Sequence, residues 1–220
     1  MGAPVTDTVT IDEAPRTRVG RPSAREAENK QKALLEAALE EFSRHGFHGA
    51  SVRAIAQRAG LSTRTLYNHY ADKVALFAAC LEMSAIRDSW TPAQRGGTLH
   101  EELVKFATHM QERLNQDRQV RLARVIFREC TSFPQLEVVS RSQFERHQLA
   151  PVQQLLQQHG FSAAQARDFA AIYVAMAFQR WQNRAIYDEP APSHEEIARH
   201  AEMVTALFLD GAIAQRDGRG

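Results

Sequence analysis

The chain lacks several features that would assign it to a common class of protein. It has only two cysteines, Cys80 and Cys130, among 220 residues, which argues against a disulfide-stabilised scaffold. It has no run of 18 apolar residues and no secretory signal, so we expect a cytoplasmic protein with no membrane partner. Both cysteines lie in apolar helical patterns, which indicates buried structural residues; a thiol redox switch is the alternative.

The motifs of common enzyme active sites are also missing. The sequence contains no glycine-rich phosphate loop, no G-x-S-x-G elbow, no H-E-x-x-H pair and no paired carboxylates in a recognisable setting. The nine histidines show no ligand spacing, and His45 and His48 flank a glycine turn. We therefore predict no catalytic residues, no metal site and no cofactor, and keep an all-α enzyme as an alternative.

Positive charge is concentrated near the N-terminus, although the formal net charge of the chain is only +1. Residues 14–73 have a net charge of +5, residues 1–13 of −3, and the remaining residues of −1. A basic run from Arg16 to Pro22 lies in a proline-rich segment with little that could form a core, which predicts a disordered basic leader over residues 1–24. Such an arm could lie along DNA, or it could be a solvated tail.

Residues 51–70 predict two short helices joined by a tight turn. Ser51 is a good N-cap residue, and apolar residues follow it at the i, i+3, i+4, i+7 spacing of one helical face. Gly60 can adopt the left-handed conformation past a helix end, and Ser62 can cap the second helix. The pattern is typical of a helix-turn-helix, whose second helix enters the DNA major groove. An ordinary helical hairpin with a polar outer face is the alternative.

The outer face of the second helix carries hydrogen-bond donors and no carboxylate. Leu66 and Tyr70 lie four residues apart and are predicted to face the first helix. The other side chains are hydroxyls, a guanidinium, an amide and an imidazole, which bond to phosphate oxygens and base edges. The predicted DNA-binding residues are Ser51, Arg53, Ser62, Thr63, Arg64, Thr65, Tyr67, Asn68 and His69.

A series of short motifs surrounds this pair of helices: Gly46-Phe47, Ser51-Val52, Ile55-Ala56, Ala59-Gly60-Leu61-Ser62, Thr65-Leu66-Tyr67, His69-Tyr70 and Lys73. With these motifs the chain resembles, from near Glu28 to near Arg87, the DNA-binding domain of TetR-type transcriptional regulators. The resemblance implies that Thr63–His69 lies in the major groove and that Tyr67 and Lys73 contact phosphates. Arg64 stands where many members have Gly, which should change the bases read, and Tyr70 where many have Phe, which should change core packing.

The rest of the chain also has helical patterns, without the alternation of strands. Helices are predicted near residues 25–44, 72–88, 99–115, 118–130, 135–158 with a kink at Pro151, 162–187 and 193–214. We predict an all-α fold in which an N-terminal three-helix helix-turn-helix domain is joined, by a long helix capped by Asp72, to a C-terminal helical ligand-binding and dimerisation domain. The predicted domains are residues 25–71 and 72–220, with a flexible break at 95–98.

The helices of the second domain predict two further sites. Inward apolar stripes with a few polar groups suit a small hydrophobic or aromatic effector. The predicted pocket residues are Phe77, Phe106, His109, Met110, Phe127, Phe133, Phe144 and His147, with Met83 and Glu129 nearby. Alternatively, the aromatics fill the core and the histidines are hydrogen-bonded at its margin. The last two helices have more apolar residues than one face requires, which predicts a dimer interface at Phe169, Tyr173, Ala177, Trp181, Val204 and Phe208.

These features together predict a homodimeric DNA-binding transcriptional regulator. We expect a repressor that binds a palindromic double-stranded DNA operator and is released by a small apolar effector, with an activator as the alternative. A DNA binder of the same fold without a small effector is a second alternative. The segment from Arg121 to Leu136 also resembles the AefR-like branch of the TetR-type regulators over 16 residues.

Overall fold

The computed structural model describes residues 24–87, 90 and 97–216 of the chain, and within these ranges every regular element is a helix. The predicted leader, except Ala24, and the first half of the predicted break at 95–98 lie outside the described residues. The elements are α1 (Ala24–Gly49), α2 (Val52–Arg58), α3 (Thr63–His69), α4 (Lys73–Arg87), α5 (Leu99–Leu114), α6 (Asp117–Glu129), α7 (Pro134–Phe144), a π-helical turn (Glu145–Leu149), α8 (Ala150–Gln158), α9 (Ala163–Tyr187) and α10 (His194–Arg216).

The first four helices share a hydrophobic cluster centred on three aromatic rings. Three buried rings form its centre: Phe42 of α1, Phe47, which follows the break in α1 at Gly46, and Phe77 of α4. Their ring centroids lie 5.0 to 5.8 Å apart. Ile55 of α2 and Leu66 of α3 complete the same cluster. Because burying one such side chain stabilises the fold by roughly 1.5 to 3 kcal/mol, this cluster holds the short helices α2 and α3, which are too short to be stable alone.

The N-terminal cluster extends into the second half of the chain. Leu122 and Val125 of α6 and Leu136 of α7 belong to it, together with α4 residues such as Leu76. Helix α4 therefore packs with the helix-turn-helix and with the helices that follow. The division between residues 71 and 72 stays a prediction, but hydrophobic packing is continuous across it.

A second hydrophobic cluster joins α5 to α8, α9 and α10. Tyr173 of α9 is fully buried, and its hydroxyl donates to the Leu103 carbonyl at 2.7 Å and lies 2.9 Å from Thr205 Oγ1. Near the C-terminal end of α9, the Arg184 guanidinium binds the Asn115 carbonyl and Asp117 Oδ1, the latter at 2.6 Å. These bonds tie α9 to the α5–α6 connection and to α10.

The predicted kink near Pro151 is present as a change in helix type. The π-helical turn over Glu145–Leu149 directly precedes α8, and Pro151 lies in the first turn of α8. Proline cannot donate a backbone hydrogen bond and its ring crowds the carbonyl of residue 147, so the wider turn relieves both problems. Among the helices of the described ranges, none combines the length and apolar character required to span a membrane.

Candidate nucleic-acid interface and ligand cavity

Side-chain caps define both helices of the helix-turn-helix, as predicted. Ser51 Oγ accepts from the Ala54 amide at 3.3 Å, and Ser62 Oγ accepts from the Thr65 amide at 3.0 Å. Gly60 has a φ of 68°, the left-handed conformation that favours glycine between two helices. The two serine hydroxyls are thus engaged within the protein, where they fix the start of each helix.

The structure brings most of the predicted DNA-binding side chains to one exposed face. Thr63, Arg64, Tyr67, Asn68 and His69 of α3 are exposed, as is Arg53 of α2. Thr65 is half-buried, and its Oγ1 lies 2.8 Å from Ser62 Oγ. Leu66 is buried on the opposite side, so the face of α3 that remains open presents donors, two rings and no carboxylate.

Lys73 lies beside this face at the start of α4, where Asp72 Oδ1 accepts from the Ala75 amide at 2.7 Å. The Lys73 ammonium donates to the His48 carbonyl at 3.0 Å and lies 5.2 Å from the centroid of the Phe47 ring. Burial lowers the Lys73 pKa, while the carboxylates of Glu129 and Glu41 act in the opposite direction. Since an ammonium has three donors, a bond to His48 leaves others for a phosphate.

Two carboxylates hold the turn between α1 and α2, which is formed by the residues from Gly46 to Ser51 and includes the last residues of α1. The sequence patterns did not predict this role for either carboxylate. Buried Glu41 accepts from the Ser51 amide at 3.1 Å. Glu129, at the end of α6, accepts from the Phe47 amide at 2.9 Å and from the His48 amide at 2.8 Å. The assignment of Glu129 as a pocket group is therefore wrong, because its carboxylate points to the turn. Sequence spacing contains no signal for a partner 81 or 82 residues away.

A cavity of about 390 Å³ lies between α4, α5, α6, α7, the π-helical turn and α9. Four of the predicted pocket residues line it: Met110, Phe127, Phe144 and His147. Further lining residues are Leu81, Ser84, Ala85, Arg113, Leu114, Gln119, Leu122, Ala123, Ile126, Cys130, Glu137, Ser140, Arg141, Gln143, Gln148 and Trp181. The walls are mostly apolar, and most of the polar side chains belong to α7 and the π-helical turn.

The other predicted pocket residues lie elsewhere, so the pocket assignment is wrong for them. Phe77 is in the N-terminal aromatic cluster, Phe106 packs against Trp90 with centroids 5.3 Å apart, and Phe133 packs against Phe47 at 5.1 Å. His109, on α5, is not among the side chains that line the cavity. An apolar residue at the right helical spacing can face either a core or a cavity, and spacing alone does not separate the two.

Several polar atoms in the cavity wall are buried without a hydrogen-bond partner among the described residues. They include Trp181 Nε1, Gln143 Oε1, Gln148 Oε1 and His147 Nε2. Burial lowers the pKa of His147, with Glu82 opposing the shift and Arg146 adding to it. The neutral imidazole is therefore favoured, and the cavity offers both donors and acceptors to a bound molecule.

Five of the six predicted dimer-interface residues belong to the chain's own core. Tyr173, Ala177, Trp181, Val204 and Phe208 are each less than 10% exposed, and Phe169 is half-buried against the same cluster. The prediction is wrong for the five buried residues, since a partner cannot reach them. The large apolar side chains that α9 and α10 leave exposed are Ile172, Ile186, Tyr187, Met203, Leu207 and Ile213.

The structure also locates the cysteines. Cys80 is buried near the Leu35 carbonyl, and burial raises its pKa to about 12. Cys130 is half-buried, lines the cavity and lies 3.8 Å from Ser140 Oγ. In the part of the chain that the structure describes, no group of three His, Cys, Asp or Glu side chains could hold a metal ion.

Sequence comparison identifies relatives of the N-terminal part of the chain. Residues 34–80 match the family model described as bacterial regulatory proteins, tetR family. The chain is 44% identical over 61 residues to the HTH-type transcriptional regulator RutR of Escherichia coli, an alignment that covers 28% of each protein. It is 34% identical over 68 residues to the HTH-type transcriptional repressor AcnR of Corynebacterium efficiens, which covers 31% of this chain and 36% of AcnR.

Structure comparison extends the similarity from the N-terminal residues to the helices of both hydrophobic clusters. A TetR-family transcriptional regulator from Mesorhizobium loti superposes with a TM-score of 0.67 at 23% identity, covering 84% of this chain and 97% of that one. The flavonoid-responsive regulator FrrA gives a TM-score of 0.67 at 24% identity over the same shares. At this identity the superpositions show the fold, while residues 34–80 carry the sequence signature. The chain therefore carries the sequence signature of the tetR family of bacterial regulatory proteins over residues 34–80, and it shares the fold of TetR-family regulators over most of its length.

Proposed function

We propose that the chain is a DNA-binding transcriptional repressor that acts as a homodimer and leaves its operator when a small apolar molecule fills the cavity. The observation that carries the proposal is the open face of α3, where exposed donors stand on a helix that is capped by Ser62 and anchored by buried Leu66. Donors without a carboxylate suit phosphate oxygens and base edges. The repressor name of AcnR supports repression over activation.

The cavity supports a response to a ligand. Its walls include Leu81, Ser84 and Ala85 of α4, the helix that also packs under the helix-turn-helix. A ligand that favours one position of α4 or α6 would thus favour one position of α3. To empty most operators, the ligand must bind the DNA-incompetent arrangement roughly 10⁴-fold more tightly than the competent one.

The lining residues point to the chemical class of the effector. A volume of about 390 Å³ with aromatic walls at Phe127, Phe144 and Trp181 fits a small, largely apolar molecule. The unpaired donor and acceptor atoms in the wall favour a molecule with hydroxyl or carbonyl groups over a saturated hydrocarbon. The flavonoid response in the name of FrrA, a regulator with the same fold, agrees with this class.

The exposed apolar side chains of α9 and α10 support a two-fold dimer. Ile172 and Ile186 lie along one stripe of α9, and Met203 and Leu207 lie four residues apart on α10. A second copy of the chain would bury both stripes in a four-helix arrangement and present two α3 helices about 34 to 36 Å apart for successive major grooves.

The test begins with selection of binding sites from a pool of random-sequence DNA duplexes by the purified chain. The proposal predicts a palindromic sequence with two half-sites about one helical turn apart, bound in a salt-dependent manner. Apolar aromatic compounds with hydroxyl or carbonyl groups are then screened for release of the selected duplex and for thermal stabilisation of the protein. The absence of any enriched sequence would refute DNA binding, whereas sequence enrichment without a releasing compound would favour a regulator that has no small effector.

A further inference from the structure

Of the two carboxylates that hold the turn between α1 and α2, that of Glu129 comes from a different helix, α6. Gly46 has a φ of 72°, which takes the chain out of the helical path of α1. Each oxygen of Glu129 then accepts one of two adjacent amides: the Phe47 amide bonds to Oε1 at 2.9 Å and the His48 amide to Oε2 at 2.8 Å. Two parallel bonds to a charged group fix the position and the direction of the turn.

The carboxylate of Glu129 lies directly against the backbone at Gly46. A Cβ atom on Gly46 would overlap Glu129 Oε1, so a larger residue would move the carboxylate from this position and would also strain the left-handed backbone. The turn has two further supports. The Phe133 ring, just after α6, packs against Phe47 at 5.1 Å and stacks on His48 at 6.1 Å, while Lys73 holds the His48 carbonyl from α4.

Helix α6 connects this turn to the cavity. Glu129 is its last residue, while Leu122, Ala123 and Ile126 on the same helix and Cys130 directly after it line the cavity. A bound molecule that displaces the last turn of α6 must therefore displace the carboxylate. Beyond the turn, Ser51 starts α2, so a movement at Phe47 and His48 is passed to the helices that carry the exposed donor face.

We propose that Glu129 is the positioning residue that transmits the state of the cavity to the helix-turn-helix. When α6 has the position seen in the structure, the Glu129 carboxylate holds the α1–α2 turn. The exposed face of α3 is then in the position that binds DNA. When a ligand shifts α6, the two amides lose their acceptor and the turn is released. The part of this inference that concerns DNA rests on the proposed function, whereas the hold on the turn does not.

The experiment uses the full chain and a covalent occupant of the cavity in place of the unidentified effector. Cys130 lines the cavity and is half-buried, whereas Cys80 is buried with a pKa raised to about 12. N-phenylmaleimide should therefore react at Cys130 first, as checked by peptide mass. Cys130→Ser, treated in the same way, is the control for modification elsewhere.

Modified and unmodified proteins are titrated with the selected duplex. Modification should weaken duplex binding about tenfold or more when Glu129 is present, the scale expected for the loss of hydrogen bonds to a charged group. In Glu129→Gln, one of the two acceptor oxygens is replaced by an NH2 group that cannot accept, so the unmodified variant should already bind the duplex more weakly. Modification of Cys130 in Glu129→Gln should change the affinity for the duplex by less than about twofold. The contact between α6 and the turn, through which modification is expected to act, is already weakened in this variant. Val152→Ala, a core change in α8, controls for lost stability and should respond to modification like wild type.

Amide hydrogen exchange at Phe47 and His48 tests the hold on the turn without DNA. Glu129→Gln and the modified wild-type protein should both exchange these two amides about tenfold faster, with the amides in the middle of α9 unchanged. Wild-type exchange rates in Glu129→Gln would overturn the proposal, as would an equal response of duplex binding to modification with and without Glu129. If no duplex is selected at all, the proposed function fails, and the exchange rates alone decide the role of Glu129.

Discussion

Arg64 is exposed and stands in the first turn of α3, and we expect it to contact a base if the chain binds DNA as proposed. If its guanidinium makes a bidentate base contact, Arg64→Ala should cost about 1 to 3 kcal/mol on the preferred sequence and relax the preference at one position. Tyr67→Phe should instead weaken all sequences alike, because a hydroxyl on a phosphate carries no base information.

Fluorescence anisotropy with the selected duplex and with single-base variants would measure both effects of Arg64→Ala. Arg167→Ala, an exposed arginine near the start of α9, is the matched control and should leave affinity and preference unchanged. Equal affinities of wild type and Arg64→Ala for every duplex would remove the base-reading role from Arg64.

His147 should make stability depend on pH on the acid side of neutrality. Burial lowers its pKa in the folded chain below the ordinary value of 6.5, so at acid pH the unfolded chain binds the proton more readily. The free energy of unfolding should then fall as the pH is lowered through about 6.5 towards the folded-state pKa of His147. It should fall less in His147→Gln than in the wild-type protein. Urea unfolding at pH 7.5 and 5.5 measures the difference. An identical decrease in the free energy of unfolding between pH 7.5 and 5.5 in both proteins would show that His147 does not contribute to the pH dependence.

At the scale of single elements, α3 depends on its cap because it has only seven residues. Ser62→Ala removes the acceptor for the Thr65 amide and should reduce the free energy of unfolding by about 0.5 to 2 kcal/mol. Duplex binding should weaken as well, since the exposed donors lie on this helix. Ser142→Ala, at an exposed position of α7, is the control in urea titration and duplex binding. Unchanged stability and affinity in Ser62→Ala would mean that other contacts fix the start of α3.

The two short helices α2 and α3 show why part of the structure could be predicted from sequence. Caps, glycine turns and helical spacing act over a few residues, so Ser51, Gly60 and Ser62 predicted both short helices. The direction in which an apolar helix faces depends on distant partners. Tyr173 and Leu207 have similar helical patterns around them, yet Tyr173 is fully buried and Leu207 is 62% exposed. The role of Glu129 also escaped prediction because its partners are more than 80 residues away.

For the molecule as a whole, association should depend on the exposed stripes of α9 and α10. Leu207→Glu places a charge on the stripe and should convert a dimer of about twice the 24.7 kDa chain mass into monomers that bind one half-site weakly. Val138→Glu, at a 70% exposed apolar position of α7, is the matched control and should remain dimeric. Sedimentation at micromolar concentration distinguishes the two. A wild-type mass near 24.7 kDa would count against the dimer.

The support for the helix-turn-helix lies late in the chain, and this has a consequence for protein synthesis. A ribosome completes α3 at His69 but must add about 60 further residues before Glu129 emerges, and Leu136 follows later still. Until then the α1–α2 turn lacks its carboxylate and the aromatic cluster lacks part of its packing. We therefore expect a nascent or prematurely terminated chain to hold the turn before α2 less firmly than the folded chain does.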